Sequence, residues 1–241
     1  MPVIVFASSK GGAGKTTACV VLASELARQG KDKNILISVI DADPEQNLSA
    51  WADLNGKPDN IALYKNVGES TILDVIEDAK KNSGIVLVDL EGIASNTVTF
   101  ALSQADLVII PSQASQMDAN KAVKIIKMIK NSSRMIQRDI PFAILFNRMS
   151  AAIVTKTAKH LSREFENAGI DIFSTCLIER EIYKSIFSFG GTIYSFDAKT
   201  KKEQESINKA ILNAVEFSEE VKLRLQQQIE APKAVKEVAN G

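Results

Sequence analysis

A glycine-rich segment near the start of the chain places the strongest constraint on the fold. The apolar stretch PVIVFAS leads into SSKGGAGKTT at residues 8–17, and helical spacing follows over residues 15–29. A strand, a glycine loop with Gly-Lys-Thr and a helix, in this order, form the context in which backbone N–H groups turn inward around a phosphate. The sequence therefore predicts a phosphate-binding loop (P-loop) inside a βαβ unit. The alternative is a glycine-rich turn that binds no ligand.

Strand and helix patterns alternate along almost the whole chain. Continuous apolar runs, typical of buried parallel strands, recur at NILISVIDAD, GIVLVDLEG, ADLVIIPS and IPFAILFNR. Helical patterns cover residues 44–54, 71–82, 96–104, 115–132, 153–167 and 203–229. This alternation predicts an α/β fold with a doubly wound, mostly parallel sheet and helices on both faces. We expect one domain over residues 1–229 and a flexible tail over 230–241.

The composition narrows the classes of function. Lys and Arg total 29, as do Asp and Glu, so any contact with nucleic acid must come from a local basic patch. The cysteines, Cys19 and Cys176, form no CxxC pattern, which indicates neither a disulfide framework nor a metal cage and fits a reducing compartment. No apolar run reaches the ~18 residues of a membrane span. These features predict a cytoplasmic protein.

Each residue type in the loop has a chemical role toward a nucleoside triphosphate. The glycines let backbone N–H groups face the phosphates. We expect Lys15 to reach the β- and γ-phosphates, the Thr16 hydroxyl to bind Mg²⁺, and Thr17 to reach the α-phosphate. The residues predicted to bind the nucleotide are Gly11, Gly12, Ala13, Gly14, Lys15, Thr16 and Thr17.

The loop departs from the ordinary G-x-x-x-x-G-K-[ST] pattern in a specific way. The pattern requires glycine where this chain has Ser9, and it does not require the additional lysine at Lys10. The segment KGGAGKTT resembles the deviant Walker A motif of the ParA/MinD family of ATPases. In that family the early lysine reaches across a dimer interface to the phosphates held by the other subunit. The resemblance therefore implies that Lys10 and Lys15 both serve catalysis, in an ATP-bound homodimer. The alternative for Lys10 is a solvated lysine beside the loop.

Further segments resemble that family at the ends of later strands. DADPEQN resembles switch I, which implies that Asp43 orients the attacking water and Asp41 supports the Mg²⁺ shell; a helix N-cap role for Asp43 is compatible. IVLVDLEG resembles Walker B, which implies that Asp89 holds Mg²⁺ through water. Glu91 stands where the family commonly has proline, so its role in switch II is open. In FNRM, the resemblance assigns Asn147 to the adenine edge, and a turn or N-cap role is the alternative.

The resemblance extends to the task of the protein. The early position of the loop favours the short plasmid-partition ParA proteins and the related VirC-type proteins of DNA transfer. This implies ATP-bound dimers on non-specific double-stranded DNA, associated with the nucleoid, with hydrolysis stimulated by a ParB-type partner. The lysines expected to contact DNA are Lys199, Lys201, Lys202 and Lys209. A second series, from Lys121 to Lys130, is expected nearer the dimer interface. A solvated helix face is the alternative for either series.

Two rival functions share the fold. A metabolic P-loop ligase of the dethiobiotin synthetase type usually lacks the early lysine. A MinD-like membrane-positioning ATPase needs a basic amphipathic C-terminal helix. The end of this chain, EEVKLRLQQQIEAPKAVKEVANG, has no strong apolar stripe and several acids. We therefore expect no membrane partner.

Overall fold

A parallel sheet forms the centre of the computed structural model, which describes residues 1–9, 12–92, 95–150 and 155–230. Within these residues the strands are β1 Val3–Phe6, β2 Ile37–Ala42, β3 Ile61–Tyr64, β4 Ile85–Leu90, β5 Leu107–Ser112 and β6 Phe142–Phe146. They lie in the order β3-β2-β4-β1-β5-β6, and every pairing is parallel. The chain thus winds outward from β1 in both directions, which makes β1 the point where the strand order switches.

Helices follow most strands and cover the sheet on both sides. They are α1 Lys15–Gly30, α2 Asn47–Asp53, α3 Ile72–Asn82, α4 Asn96–Gln104, α5 Gln116–Ile136, α6 Lys156–Asn167, α7 Glu181–Phe189 and α8 Lys201–Glu230. A short 3₁₀ turn over Lys31–Lys33 follows α1. The predicted α/β fold with a doubly wound sheet is confirmed.

Alternate residues of each strand enter different hydrophobic clusters. Ile4 and Phe6 of β1 pack with α1, α2, α7 and α8. Val3 and Val5 of the same strand pack with α3, α4, α5 and α6. Successive side chains of a strand point to opposite faces, so a strand buried on both faces must be apolar throughout. This is the reason that apolar residues dominate β1, β2, β4 and β5 in the sequence.

Two elements escape prediction from the sequence. Strand β3 lies at the edge of the sheet, where three of its four residues are half-buried. Its apolar run, IALY, is too short to mark a strand on its own. Helix α7 buries Ile182, Tyr183 and Ile186 at helical spacing. It is nine residues long, and the glycines that follow it make this stretch read as a loop.

The last helix is anchored in its middle. Helix α8 contains 30 residues, and its buried side chains Ala210, Ala214, Phe217 and Val221 recur at helical spacing in the cluster that contains α1. Its first six residues, 201–206, are all exposed. Among the described helices, none is both long enough and apolar enough to cross a membrane. The predicted tail over residues 230–241 lies, from residue 231 onward, outside the described residues.

Candidate functional site

The parallel register brings the predicted site residues to one edge of the sheet. Asp89 is the Cα partner of Phe6 on β1 and of Asp41 on β2. Strands β1, β2 and β4 therefore end side by side, and the segments that follow them meet at the strand-order switch point. This is where ligands bind in open α/β sheets.

The glycine loop has the backbone geometry that a phosphate cradle needs. Gly12 and Gly14 have φ angles of 80° and 89°, in the left-handed region. Gly14 is the N-cap residue of α1, so the positive end of the helix dipole faces the loop. Lys15 is buried, and Thr16 and Thr17 are half-buried in the first turn of α1. Lys10 and Gly11 lie outside the described residues, so their predicted roles stay predictions.

Asn147 braces this loop from the end of β6. Its side-chain amide donates to the carbonyl oxygens of Ala13 and Gly14, each at 3.2 Å. Its side-chain oxygen accepts from the Arg148 backbone N–H at 2.8 Å, and the residue is almost fully buried. A Cβ atom at Gly14 would lie 2.0 Å from the Asn147 amide nitrogen, so this contact also requires glycine. The structure thus supports a structural role for Asn147, while its predicted adenine contact stays a prediction.

Asp41 is already saturated with hydrogen bonds. One carboxylate oxygen accepts from both the backbone N–H and the hydroxyl of Ser49, each at 2.7 Å. The other accepts from the Asp43 backbone N–H at 3.3 Å. Since both oxygens are engaged and the side chain is buried, Asp41 fastens the start of α2 to the end of β2. Its predicted support of Mg²⁺ is consistent with an indirect contribution of this kind.

Asp43 lies in a tight turn beside Lys15. The turn is closed by hydrogen bonds from the backbone N–H and the side-chain amide of Gln46 to the Asp43 carbonyl, at 2.9 and 2.7 Å. Helix α2 starts at Asn47 instead of residue 44, and Gln46 is its N-cap residue. The N-cap interpretation of Asp43 is therefore wrong. Instead, a carboxylate oxygen of Asp43 lies 3.8 Å from the Lys15 ammonium, which leaves Asp43 facing the predicted phosphate site.

Asp89 is the least satisfied charged group of the site. It is fully buried, and neither carboxylate oxygen makes a hydrogen bond of good geometry among the described residues, although the Thr16 hydroxyl lies close enough to lower its pKa. Burial raises the pKa of Asp89 to about 7, although the nearby Thr16 hydroxyl and Lys15 ammonium act in the opposite direction. A buried carboxylate without a partner is costly, and a divalent cation would remove that cost.

The surroundings of Asp89 fit Mg²⁺ better than a metal held entirely by protein side chains. Among the described residues, no group of three or more His, Cys, Asp or Glu side chains could hold a metal ion. Mg²⁺ typically binds one or two carboxylates together with substrate phosphates and water. Asp89, the Thr16 hydroxyl and the adjacent glycine loop provide such a setting.

A cavity beside the loop contains residues that the sequence did not single out. It measures about 380 Å³, and Gly12, Ala13, Lys121 and Arg148 contribute to its lining. Arg148 is exposed at its rim, and its backbone φ of 54° is held in the left-handed region by the bond to Asn147. Sequence reasoning did not select Arg148 as a site residue, because its place in FNRM does not distinguish it from an ordinary surface arginine. Its position beside the loop makes it a candidate for contact with a nucleotide.

The predicted DNA-contacting lysines gather at the start of α8, away from the loop. Lys199 precedes the helix, Lys201 and Lys202 begin it, and Lys209 follows about two turns later; all four are exposed. The Lys199 backbone N–H donates to the Glu203 carboxylate at 2.7 Å, which joins Lys199 to the first turn of the helix. On α5, Lys121 pairs with Asp118 at 2.9 Å. Glu91 lies half-buried directly after β4.

Replacing Asp89 by asparagine tests the interpretation of its burial. The variant loses a buried carboxylate that has no protein partner, so we expect the melting temperature of the nucleotide-free protein to stay equal or to rise by a few °C. Binding of ATP, measured by calorimetry, should lose its dependence on Mg²⁺. A clear drop in the melting temperature, or an unchanged Mg²⁺ dependence, would contradict the assignment.

Replacing Asn147 by alanine separates loop bracing from base recognition. If Asn147 acts through the loop, Asn147→Ala weakens binding of ATP and of inorganic tripolyphosphate by a similar factor, about tenfold, since two hydrogen bonds to the loop are lost. If Asn147 reads the adenine, only ATP binding weakens. Competition titrations with the two ligands measure the difference, and Asn66→Ala, at an exposed asparagine with a left-handed backbone, serves as the control.

Comparisons with known proteins agree with the site. The chain matches the family described as VirC1 protein over residues 1–231. It is 38% identical over 218 residues to Protein ParA of Rhizobium radiobacter, covering 90% of this chain and 95% of that protein. Protein virC1 of the same organism is 24% identical over 191 residues, which cover 77% of this chain and 80% of that one.

Solved structures show the same fold. An ATP complex of Cyanothece McdA superposes with a TM-score of 0.71 at 15% identity, covering 92% of this chain and 96% of that one. A putative plasmid partition protein of Borrelia burgdorferi B31, bound to AMPPNP, gives a TM-score of 0.61 at 20% identity, with coverages of 90% and 97%. With the loop, the strand-end carboxylates and the family match in agreement, the chain belongs to the VirC1 family of ParA-type P-loop proteins.

Proposed function

We propose that the protein is an ATP-dependent DNA partition ATPase. ATP binding drives dimerisation and non-specific binding to double-stranded DNA, and slow hydrolysis, stimulated by a ParB-type partner, resets the cycle. The observation that carries this proposal is the assembly of the glycine loop, Asp43 and the unpartnered Asp89 at one sheet edge. The 38% identity to a protein named ParA supports partition as the task.

Each residue of the site has its own role in this proposal, which depends on its environment. Lys15 neutralises the β- and γ-phosphates, and Asp43, beside it, accepts a hydrogen bond from the attacking water and orients it toward the γ-phosphorus. Thr16 and Asp89 would hold Mg²⁺, with Asp41 maintaining the geometry of the adjacent turn. When bound, Mg²⁺ supplies positive charge that offsets the charge developing on the phosphate oxygens. The bonds from Asn147 to the loop keep the cradle open before ATP arrives.

Lys10 provides the link between ATP and dimerisation in this proposal. Two facing triphosphates repel each other, and one lysine from each subunit offsets that repulsion only when γ-phosphates are present. Lys10 lies in sequence between Ser9 and Gly12, and both of these residues line the cavity beside the loop. In this proposal the second subunit lies on the open side of the loop.

DNA contact is assigned to the lysines at the start of α8. A single copy offers Lys199, Lys201 and Lys202 in the company of Glu203 and Glu205, so its attraction to phosphates is weak and readily screened by salt. A dimer presents two such groups on one body, and binding of the second becomes intramolecular. This makes DNA affinity depend on ATP without any sequence-specific contact. The protein would then reside in the cytoplasm on the nucleoid, as a single domain over residues 1–229.

Alanine substitutions of the two loop lysines test the proposal. Lys15→Ala should lose ATP binding altogether, because the phosphates lose their main countercharge. Lys10→Ala should bind ATP as a monomer with near-normal affinity, yet it should neither dimerise, nor hydrolyse ATP, nor bind DNA. Calorimetry, sedimentation velocity and DNA mobility shift measure these three properties, and Lys31→Ala, at an exposed lysine after α1, is the control.

A normal ATP-induced dimer of Lys10→Ala would rule out the cross-subunit role. Absence of DNA binding by the unmodified protein with any nucleotide at low salt would instead favour the ligase or the membrane-positioning alternative.

A further inference from the structure

We propose that Trp51 and the connector between α7 and α8, residues 190–200, form the mechanical link through which the nucleotide site controls the lysines at the start of α8. The inference rests on the proposed function, because it names the route by which ATP regulates DNA contact. The route passes from the Asp43 turn through α2 to the connector and ends at Lys199 and the first turn of α8. Each step as far as the connector is a hydrogen bond or a backbone contact between described residues, and the last step follows the chain from the connector into α8.

The first step joins the Asp43 turn rigidly to α2. Gln46 closes the turn through two hydrogen bonds to the Asp43 carbonyl. Three residues later, Ser49 is bound to Asp41 by its backbone and by its hydroxyl. Because α2 has only seven residues, a displacement of the turn moves the whole helix.

The second step joins α2 to the connector through Trp51. Its indole N–H donates to the Gly191 carbonyl oxygen at 2.8 Å, and the side chain is almost fully buried. A buried indole N–H normally keeps its partner, because the unbonded group costs more than the bond contributes. Trp51 and the connector residue Ile193 also lie in the same hydrophobic cluster. The end of α2 and the connector are thus expected to move together.

The third step is a direct contact between two backbones. The turn after α2 contains Gly56 and the connector starts with Gly190 and Gly191, and all three have φ angles between 71° and 92°. A Cβ at Gly190 would lie 2.4 Å from the Asn55 carbonyl oxygen, and a Cβ at Gly56 would lie 3.0 Å from the Gly191 Cα. The contacts are made by backbone atoms and by the Leu54 Cβ, none of which moves when a side chain changes rotamer, so we expect a shift of one segment to displace the other.

A second anchor ties the connector to α1, the helix that begins at Lys15. The Tyr194 hydroxyl donates to the Glu25 carboxylate, which also accepts two hydrogen bonds from the Arg28 guanidinium, at 2.9 and 2.7 Å. The connector therefore contacts both helices that start at the nucleotide site.

In the last step, a displacement of the connector moves the lysines at the start of α8. Thr192 and Ser195 close a turn with two hydrogen bonds of 3.0 Å, from the Ser195 N–H to the Thr192 carbonyl and from the Thr192 N–H to the Ser195 hydroxyl. The chain then reaches Lys199, which is bound to Glu203. The middle of α8 is fixed against α1 by its buried residues, whereas residues 201–206 are exposed. In the proposed link, these exposed first turns of α8 change position while the rest of the helix stays in place.

The proposed link requires that ATP and ADP interact differently with the residues of the nucleotide site. In this structure the Lys15 ammonium lies 3.8 Å from an Asp43 oxygen. A γ-phosphate competes for that ammonium with a larger negative charge, and ADP lacks the group. ATP and ADP therefore leave Asp43 with different partners, which is the condition for a ligand to shift a conformational equilibrium.

The chain contains one tryptophan, so the intrinsic fluorescence of Trp51 reports on this contact directly. We expect the emission maximum and the acrylamide quenching of Trp51 to change with ATP and Mg²⁺ but not with ADP and Mg²⁺. Lys15→Ala should show no change, since it cannot hold the nucleotide. The triple variant Lys199→Ala, Lys201→Ala and Lys202→Ala should keep the ATP-induced change while losing DNA binding.

Trp51→Phe tests whether the link controls DNA affinity. Phenylalanine keeps an aromatic ring in the cluster and removes the N–H, so ATP affinity should stay within about twofold. The ratio of DNA affinities with ATP and with ADP should fall by about tenfold, which corresponds to one buried hydrogen bond. Tyr194→Phe, which removes the second anchor, should lower the same ratio independently, and it keeps the test valid if Trp51→Phe folds poorly.

The outcomes distinguish the link from the function on which it rests. Identical Trp51 emission with ATP and ADP in a protein that dimerises would overturn the link, and so would unchanged affinity ratios in both variants. If Trp51 responds to ATP but no nucleotide supports DNA binding, the link is upheld and the assignment of DNA as ligand is wrong.

Discussion

Two buried carboxylates on adjacent parallel strands govern the structure of the site. Asp41 and Asp89 are register partners at the ends of β2 and β4, and burial of two like charges so close together is unfavourable. The protein treats them differently: Asp41 receives hydrogen bonds on both oxygens, whereas Asp89 receives none from the described residues. Asp41 therefore holds the turn after β2 in place, and in the proposed function Asp89 is left to a cation that arrives with the nucleotide.

The two helices of the proposed link begin at the same strand ends. Helix α1 begins at the glycine loop after β1, and α2 begins just after the Asp43 turn at the end of β2. Both helices contact the connector before α8, α1 through Glu25 and α2 through Trp51. In the proposed link, a binding event at the sheet edge has two routes to the basic start of α8, one through each of these helices. This arrangement is the physical basis of the proposed control of DNA binding by the nucleotide.

Features encoded in contiguous residues could be predicted from the sequence, and features made by distant contacts could not. The glycine loop and the strand-ending aspartates are local patterns, and the structure brings them together as expected. Strand β3 was missed because its apolar run has only four residues, too few to distinguish a strand from a loop segment. The bonds from Asn147 to the loop and from Trp51 to Gly191 join residues 134 and 140 positions apart. No local sequence pattern indicates such contacts, so the role of Asn147 at the loop and the contact of Trp51 with the connector could be recognised only in the folded structure.

The central claim is that one coupling free energy links the nucleotide site to DNA. Thermodynamic coupling is reciprocal, so DNA must strengthen the binding of ATP by the same factor by which ATP strengthens the binding of DNA. The direct test is a calorimetric titration of a non-hydrolysable ATP analogue, with Mg²⁺ at low salt, in the presence and absence of random-sequence duplex DNA. We predict that DNA tightens binding of the analogue by about tenfold or more and leaves the affinity for ADP unchanged. Equal affinities for the analogue with and without DNA would contradict the account.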